Sequence, residues 1–296
     1  MDKRMTNSLY NHYLSDSVPK GVFIISHGMA EHLGRYNWLI SKLNSDGYHV
    51  ISRDHRGHGR NIRNRKDQGY FSDNDGWLKV RNDLVETIEY VNSQYPNIDC
   101  FLLGHSMGSW IALSTLNTKQ PISGLILTGS SKLPKISIIL NLIIIKLNIL
   151  FKGKFNESKF IHNITIGRFN SQYKPNRTNN DWISSDHKSV DNYTNDKQCG
   201  FIVKSGLWLD LCHGLLSIFK RKYYSDTNYK IPILIMSGEY DAASANAKLA
   251  NVLANFLKTK FVNITFKVIN NSRHEVFTEV NKISSYNYLL NYIKQL

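Results

Sequence analysis

The sequence predicts an α/β fold: a mostly parallel central sheet flanked by helices, with a helical insertion between two core strands. Three observations lead there. Short apolar runs alternate with longer stretches of helical spacing, the signature of βαβ units. A Gly-x-Ser-x-Gly pattern, Gly104-His105-Ser106-Met107-Gly108, falls between such a run and such a stretch. The alternation then stops between Gly129 and Lys230, where helical runs, aromatic clusters and polar turns show no strand period. These limits give a core over residues 1–129 and 230–296 and an inserted helical cap over 130–229.

Taken in order, Val22–Ser26 reads as a buried strand that ends at His27-Gly28. Leu33–Ser45 has helical spacing and stops at Asp46-Gly47, and Tyr48–Ser52 is the next strand. Gly76–Tyr95 is a helix closed by Pro96. Ile98–Leu103 is a strand, Met107–Asn117 a helix and Ile122–Thr128 a strand. Beyond the insertion, Ile231–Ser237 is a strand with Pro232 near its start, where proline is tolerated. Ala243–Leu257, Phe261–Ile269 and Val276–Ile293 complete a helix–strand–helix tail.

Composition narrows the class. The chain has 296 residues and is 42% hydrophobic, enough for a sizeable core with an insertion. It carries 37 Lys and Arg against 23 Asp and Glu, a formal net charge of +14. Asn, Lys and Ile recur along the whole chain, as under an AT-rich codon bias. No basic run is interleaved with aromatics, so no nucleic-acid partner is expected. Cys100, Cys199 and Cys212 form neither a Cys-x-x-Cys nor an even set, which excludes a disulfide framework and fits a reducing compartment. The polar start, Met1 to Tyr10, has no apolar h-region, so a cytoplasmic location is expected.

The Gly-x-Ser-x-Gly pattern reads as a nucleophile elbow. A sharp strand-to-helix turn strains the serine backbone and leaves room only for glycines two residues to either side. Ser106 is thus the candidate nucleophile, and the helix N-terminus beneath it favours negative charge nearby. A serine hydroxyl needs a base. In this arrangement the order is Ser, acid, His. Of eleven histidines, only His274 lies beyond the strand Ile231–Ser237. The acid belongs at the end of that strand, where Glu239 and Asp241 both stand; Asp241 is favoured, since Gly238 lets the chain turn before it. Two backbone N–H groups should hold the developing oxyanion, those of Met107 and of Met29. Asp54-His55-Arg56-Gly57-His58-Gly59 offers two histidines, but no third ligand in register, so a structural turn with local hydrogen bonds from Asp54 and Arg56 is expected, and no metal.

These residues resemble the monoacylglycerol lipase and lysophospholipase branch of the α/β hydrolases. The matching pieces are His27-Gly28-Met29-Ala30-Glu31-His32 with Arg35-Tyr36, Asp54 to Gly59, Gly104 to Gly108, Ser237-Gly238-Glu239-Tyr240-Asp241 and Arg273-His274-Glu275. Inside the cap, Asp181 to Asp186 and Cys199-Gly200-Phe201 also match bacterial members. The resemblance implies an α/β-hydrolase fold and hydrolysis of a small lipid ester with one acyl chain, without metal or organic cofactor. Related sequences include carboxylesterases and aminopeptidase-like enzymes, and a thioesterase or peptidase on the same residues stays open. A binding module that has lost catalysis would not require Ser106 or His274. Methionine at position 29, where many relatives carry a smaller residue, would narrow the acyl pocket.

One run in the cap stands out. Ile136–Phe151, ISIILNLIIIKLNILF, is shorter than the ~20 apolar residues that cross a bilayer and too long for a strand. At ~100° per residue, Ser137, Asn141 and Asn148 share one narrow stripe and Lys146 lies opposite. Two readings follow: a helix buried between cap and core, or one that lines the acyl entrance and docks reversibly on membranes as a peripheral contact. On the second reading Ile139 and Ile143 would touch lipid.

Overall fold

A computed structural model of the chain describes residues 6, 7 and 9–296. Most of the polar start read from Met1 therefore lies outside the described residues. Eight strands form one sheet: β1 (Thr6–Asn7), β2 (Tyr10–Tyr13), β3 (Gly21–Ser26), β4 (Tyr48–Ser52), β5 (Cys100–His105), β6 (Gly124–Thr128), β7 (Ile233–Gly238) and β8 (Ile264–Ile269), in spatial order β1-β2-β4-β3-β5-β6-β7-β8. The pairs from β4 to β8 are parallel; β1–β2 and β2–β4 are antiparallel.

The central strands are apolar on both faces because helices cover both. On one face, Val22, Ile24, Leu102, Leu125 and Ile233 pack against α2 (Gly76–Gln94), α3 (Met107–Thr115), α8 (Ser205–Ile218) and α9 (Lys248–Lys258). On the other, Phe23, Ile25, Leu103, Ile126 and Leu234 meet α1 (Asn37–Ser45) and α10 (Lys282–Ile293).

Several expected elements are shorter than read. The stretch from Leu33 opens as a 3₁₀ turn over Leu33–Tyr36 before α1. Ala243–Leu257 is broken: Ala245, Asn246 and Ala247 all have positive φ, because Asn246 N–H donates to Asp241 O at 2.8 Å and Ala247 N–H to Ser244 Oγ at 3.1 Å. Val276–Ile293 is helical only from Lys282, since the preceding residues form the loop around His274. The strand at Tyr10–Tyr13 was not expected from its mixed sequence; it is an antiparallel addition to β4.

Neighbouring strands β6 and β7 are joined by the long segment that holds α4 (Lys135–Lys152), α5 (Lys159–Ile164), α6 (Ile166–Phe169), α7 (His187–Asn195) and α8. Pro134 precedes α4 and Gly153, at φ 79°, ends it. α4 packs along α8. Its polar stripe is half-buried, and there Asn148 Oδ1 accepts from Asn156 Nδ2 at 3.0 Å and Ser205 Oγ at 2.9 Å. Ile138 and Ile145 are 2% exposed, whereas Leu140 is 54%, Leu147 51% and Phe151 80% exposed. Ile143 faces out as expected, but Ile139 is half-buried. Among the described residues no helix is long and apolar enough to cross a membrane.

Candidate active site

The site is built at the carboxyl ends of the parallel strands. Ser106 follows β5, Asp241 follows β7, His274 follows β8 and Met29 follows β3. This is where α/β sheets place their ligands, because the loops there fan apart.

Ser106 stands at φ 50°, ψ −121°, a strained conformation for a residue with a Cβ. Its flanking glycines are required by close approach. A Cβ on Gly104 would stand 2.6 Å from Ser109 Cα, and one on Gly108 would run into the carbonyl oxygens of Ser26 and His27. Ser106 N–H donates to Thr128 O at 2.9 Å, which hangs the turn on the neighbouring strand. Ser26 Oγ donates to Gly108 O at 2.9 Å and ties the start of α3 to β3.

Asp241 and His274 are both buried, and His274 Nδ1 lies 2.9 Å from Asp241 Oδ1. His274 Nε2, buried too, has no partner among the described residues. Burial lowers the pKa of His274, but the charge and hydrogen bond of Asp241, with smaller effects from Glu275 and Glu31, outweigh this and raise it. Glu239 points elsewhere: its Oε2 accepts from Asn271 N–H at 2.9 Å. The imidazole of His274 is held between two rings, His105 and Trp182, each with its centroid 4.8 Å away.

The backbone N–H groups of Met29 and Met107 donate to no acceptor among the described residues. Met107 is buried; the half-buried side chain of Met29 packs against the core. The segment Asp54 to Gly59 braces the Met29 loop. Asp54 Oδ1 accepts from Leu33 N–H at 2.7 Å and Oδ2 from Arg60 N–H at 2.9 Å. His55 N–H donates to His27 Nε2 at 2.9 Å, and His55 Nε2–H to Ser26 Oγ at 3.0 Å. Burial pushes His58 down to about 3, so it stays neutral. Arg56 is less local than its sequence suggested: it reaches Asp83 on α2, Nη2 to Oδ1 at 2.8 Å.

Among the described residues, His32, Asp196 and Cys199 bring three ligand atoms within 4.8 Å of one another. Their hydrogen bonds do not suit a metal. His32 Nδ1 accepts from Gly34 N–H at 3.2 Å, so the proton sits on Nε2 and is donated to Asp196 Oδ2 at 2.9 Å. A metal-bound imidazole uses its other nitrogen as a donor.

The sequence as a whole matches a described family. The profile of the family described as serine aminopeptidase, S33, matches residues 17–281. The chain belongs to the serine aminopeptidase S33 family. Within and around this family it is similar to human monoglyceride lipase, 25% identical over 270 residues that span 90% of this chain and 79% of that one. It is similar to a probable lysophospholipase L2 of Haemophilus influenzae, 27% identical over 304 residues, 98% of this chain and 90% of the other. It spans 32% of the length of a monkeypox virus monoglyceride lipase homolog and 66% of the mouse and rat monoglyceride lipases that it also matches. Among solved structures it is similar to a thermostable carboxyl esterase from Bacillus coagulans in complex with glycerol, with TM-score 0.86, 25% identity and coverage of 99% and 96%. The fold is that of the α/β hydrolases.

Some residues around this candidate site carried no assignment in the sequence. Trp182 belongs to the matched Asp181–Asp186 stretch, but its contact with His274 is made only on folding. Arg273 donates from Nη1 to Asp181 O at 2.5 Å and Ser184 O at 3.1 Å, while buried Glu279 accepts from Arg273 N–H at 2.6 Å and from Ser185 N–H at 3.0 Å. Together they fasten the Trp182 segment to the His274 loop.

Proposed function

We propose that this chain hydrolyses carboxylic esters of single-acyl-chain lipids, monoacylglycerols or lysophospholipids, through an acyl-enzyme on Ser106. The observations that carry this reading are a strained elbow serine and a buried Asp241–His274 pair whose His274 Nε2 has no partner among the described residues. His274 Nε2 takes the proton from Ser106 Oγ as Oγ attacks the ester carbonyl. The oxyanion is held by the N–H groups of Met29 and Met107. The C–O bond of the ester breaks, and His274 returns the proton to the departing alcohol. Water, deprotonated by the same nitrogen, then attacks the acyl carbon, Ser106 Oγ leaves with that proton, and the fatty acid is released. The charge of Asp241 favours the transient imidazolium. No step calls for a metal or organic cofactor.

Residues 130–229 form the cap over this site in our reading, and α4 carries the contact with lipid. Its outward face, Ile136, Leu140, Ile143, Leu147, Leu150 and Phe151, holds no acidic residue and continues into exposed Phe155 and Phe160. Lys146, Lys152 and Lys159 lie along the same region and suit anionic headgroups. The occupant we assign is a bilayer or micelle surface, met reversibly. Three buried, unpaired cysteines suit a reducing compartment such as the cytoplasm.

A panel of monoacylglycerols, lysophospholipids, short soluble esters, thioesters and aminoacyl amides tests the chemistry. Hydrolysis of the lipid esters, with fluorophosphonate labelling that vanishes in Ser106→Ala, is the expected result. Cleavage of amides or thioesters in preference to every ester would move the activity to a different reaction on the same residues.

A further inference from the structure

Glu31 is a buried carboxylate set into the loop that carries Met29. Its Oε1 accepts the Gly28 N–H in a short hydrogen bond and the Tyr36 O–H at 2.8 Å. The loop has no strand ladder to hold its N–H groups, so this side chain does so from three residues ahead. On the loop's far side, Ala30 O accepts from Gly200 N–H at 2.9 Å and from Tyr193 O–H at 3.1 Å, both in the insertion.

The same carboxylate faces Arg35, whose Nε is 3.9 Å from Glu31 Oε2. Arg35 Nη2 in turn lies 2.5 Å from Glu275 Oε2. Glu275 adjoins His274 in the chain, and its N–H donates to Ile183 O at 2.8 Å. One Glu–Arg–Glu chain therefore links the peptide at Gly28 to the peptide at His274. Two carboxylates share a single guanidinium away from water, which costs folding free energy that a simple packed core would avoid. Burial and the charge of Glu275 push Glu31 up to about 7, against Arg35, Tyr36 and the Gly28 N–H. Neither carboxylate has a hydrogen bond to Ser106, Asp241 or His274 among the described residues. Their surplus charge is thus outside the triad itself.

We propose that Glu31 is a positioning residue: it aims the Met29 N–H into the site and, through Arg35 and Glu275, keeps that donor in register with His274. The inference rests on reading Ser106 as nucleophile and Met29 as an oxyanion donor. Ser106 is not touched by Glu31, so its effect should appear in turnover and not in substrate binding.

The test uses the full chain and a short soluble ester, with kcat expressed per site titrated by a fluorophosphonate. Glu31→Leu removes the acceptor at similar volume. Its kcat per titrated site should fall about 10²-fold, the usual cost of losing one oxyanion donor, with KM little changed. Glu31→Gln keeps an acceptor for Gly28 but turns an amide towards Arg35, and should lose about tenfold, a fraction of that cost. A Glu31→Leu value within about twofold of the parent overturns the proposal, whatever its melting temperature. Should the leucine variant not fold, an unchanged kcat in Glu31→Gln overturns it instead. If the parent chain is not titrated by the probe, or Ser106→Ala is, the serine reading fails and the inference falls with it.

Discussion

The indole of Trp182 lies against the imidazole of His274, with centroids 4.8 Å apart and planes inclined at 40°. His105 covers another side of the same ring, and Asp241 holds one of its nitrogens. The imidazole has little room to rotate. Its remaining nitrogen, Nε2, is buried and has no partner among the described residues.

Trp182→Ala should therefore lower kcat on a short ester by up to ~10²-fold, the scale of a misplacement near 1 Å. The measurement is kcat per titrated serine beside the melting temperature. A lower melting temperature with unchanged kcat would make Trp182 a packing residue alone.

Asp241→Asn should cost on the order of 10⁴-fold in kcat, the usual effect of a lost charged orienter. Glu239→Gln should cost little, since among the described residues that carboxylate accepts from the Asn271 N–H alone. Matching losses in the two variants would contradict the assignment of the acid.

The raised pKa of His274 sets a sign for the pH profile. A general base must be neutral, so activity grows as pH rises through its pKa, and the acidic limb of kcat/KM should lie above the ordinary 6.5. In Asp241→Asn the depression by burial is no longer opposed by that charge, and the limb should move to lower pH. A limb at the same pH in both proteins would show that a different group titrates.

Glu31 gives a stability test. Its pKa is raised from 4.5 to about 7 in the folded chain. Between those values the folded state keeps a proton that the unfolded state has lost, so stability falls as pH rises through this window. Glu31→Gln should flatten that fall in urea melts taken from pH 4.5 to 7. An identical slope in parent and variant would place the carboxylate in a more ordinary environment.

On α4 the two faces should respond oppositely. Leu140→Ser with Leu147→Ser should weaken binding to anionic vesicles and hydrolysis of long-chain esters, with short-ester activity and melting temperature retained. Ile138→Ser and Ile145→Ser should each destabilise by about 2–5 kcal/mol, as buried aliphatic truncations do. Vesicle binding that survives the leucine substitutions would remove α4 as the docking element.

Much of this was legible in the sequence for a physical reason. Strands buried on both faces read as unbroken apolar runs, so β3 to β7 stood out, and Ser106, Asp241 and His274 follow from strand ends and chain order. The antiparallel strand at Tyr10–Tyr13 was hidden because its residues alternate no clear apolar face. The break at Ala245–Ala247 was hidden because the two alanines favour a helix and outweigh the single turn-forming Asn246; the turn is pulled shut by Asp241 O and Ser244 Oγ. Trp182 meets His274, and Arg35 meets Glu275, only across long chain separations, which spacing cannot reveal. For α4 the stripe of Ser137, Asn141 and Asn148 was visible, but not that Asn148 would find partners at Asn156, Ser158 and Ser205.

The outward leucine and isoleucine face of α4 has a consequence for how such a catalyst would be measured. A protein resting on a lipid sheet by this ridge searches for substrate in two dimensions. Its turnover would then follow the mole fraction of substrate in the sheet and the area of sheet available, and bulk molarity would describe it poorly. Diluting the substrate lipid with an inert one at fixed total lipid should slow each bound molecule. Adding more sheet of the same composition should only recruit more molecules to it.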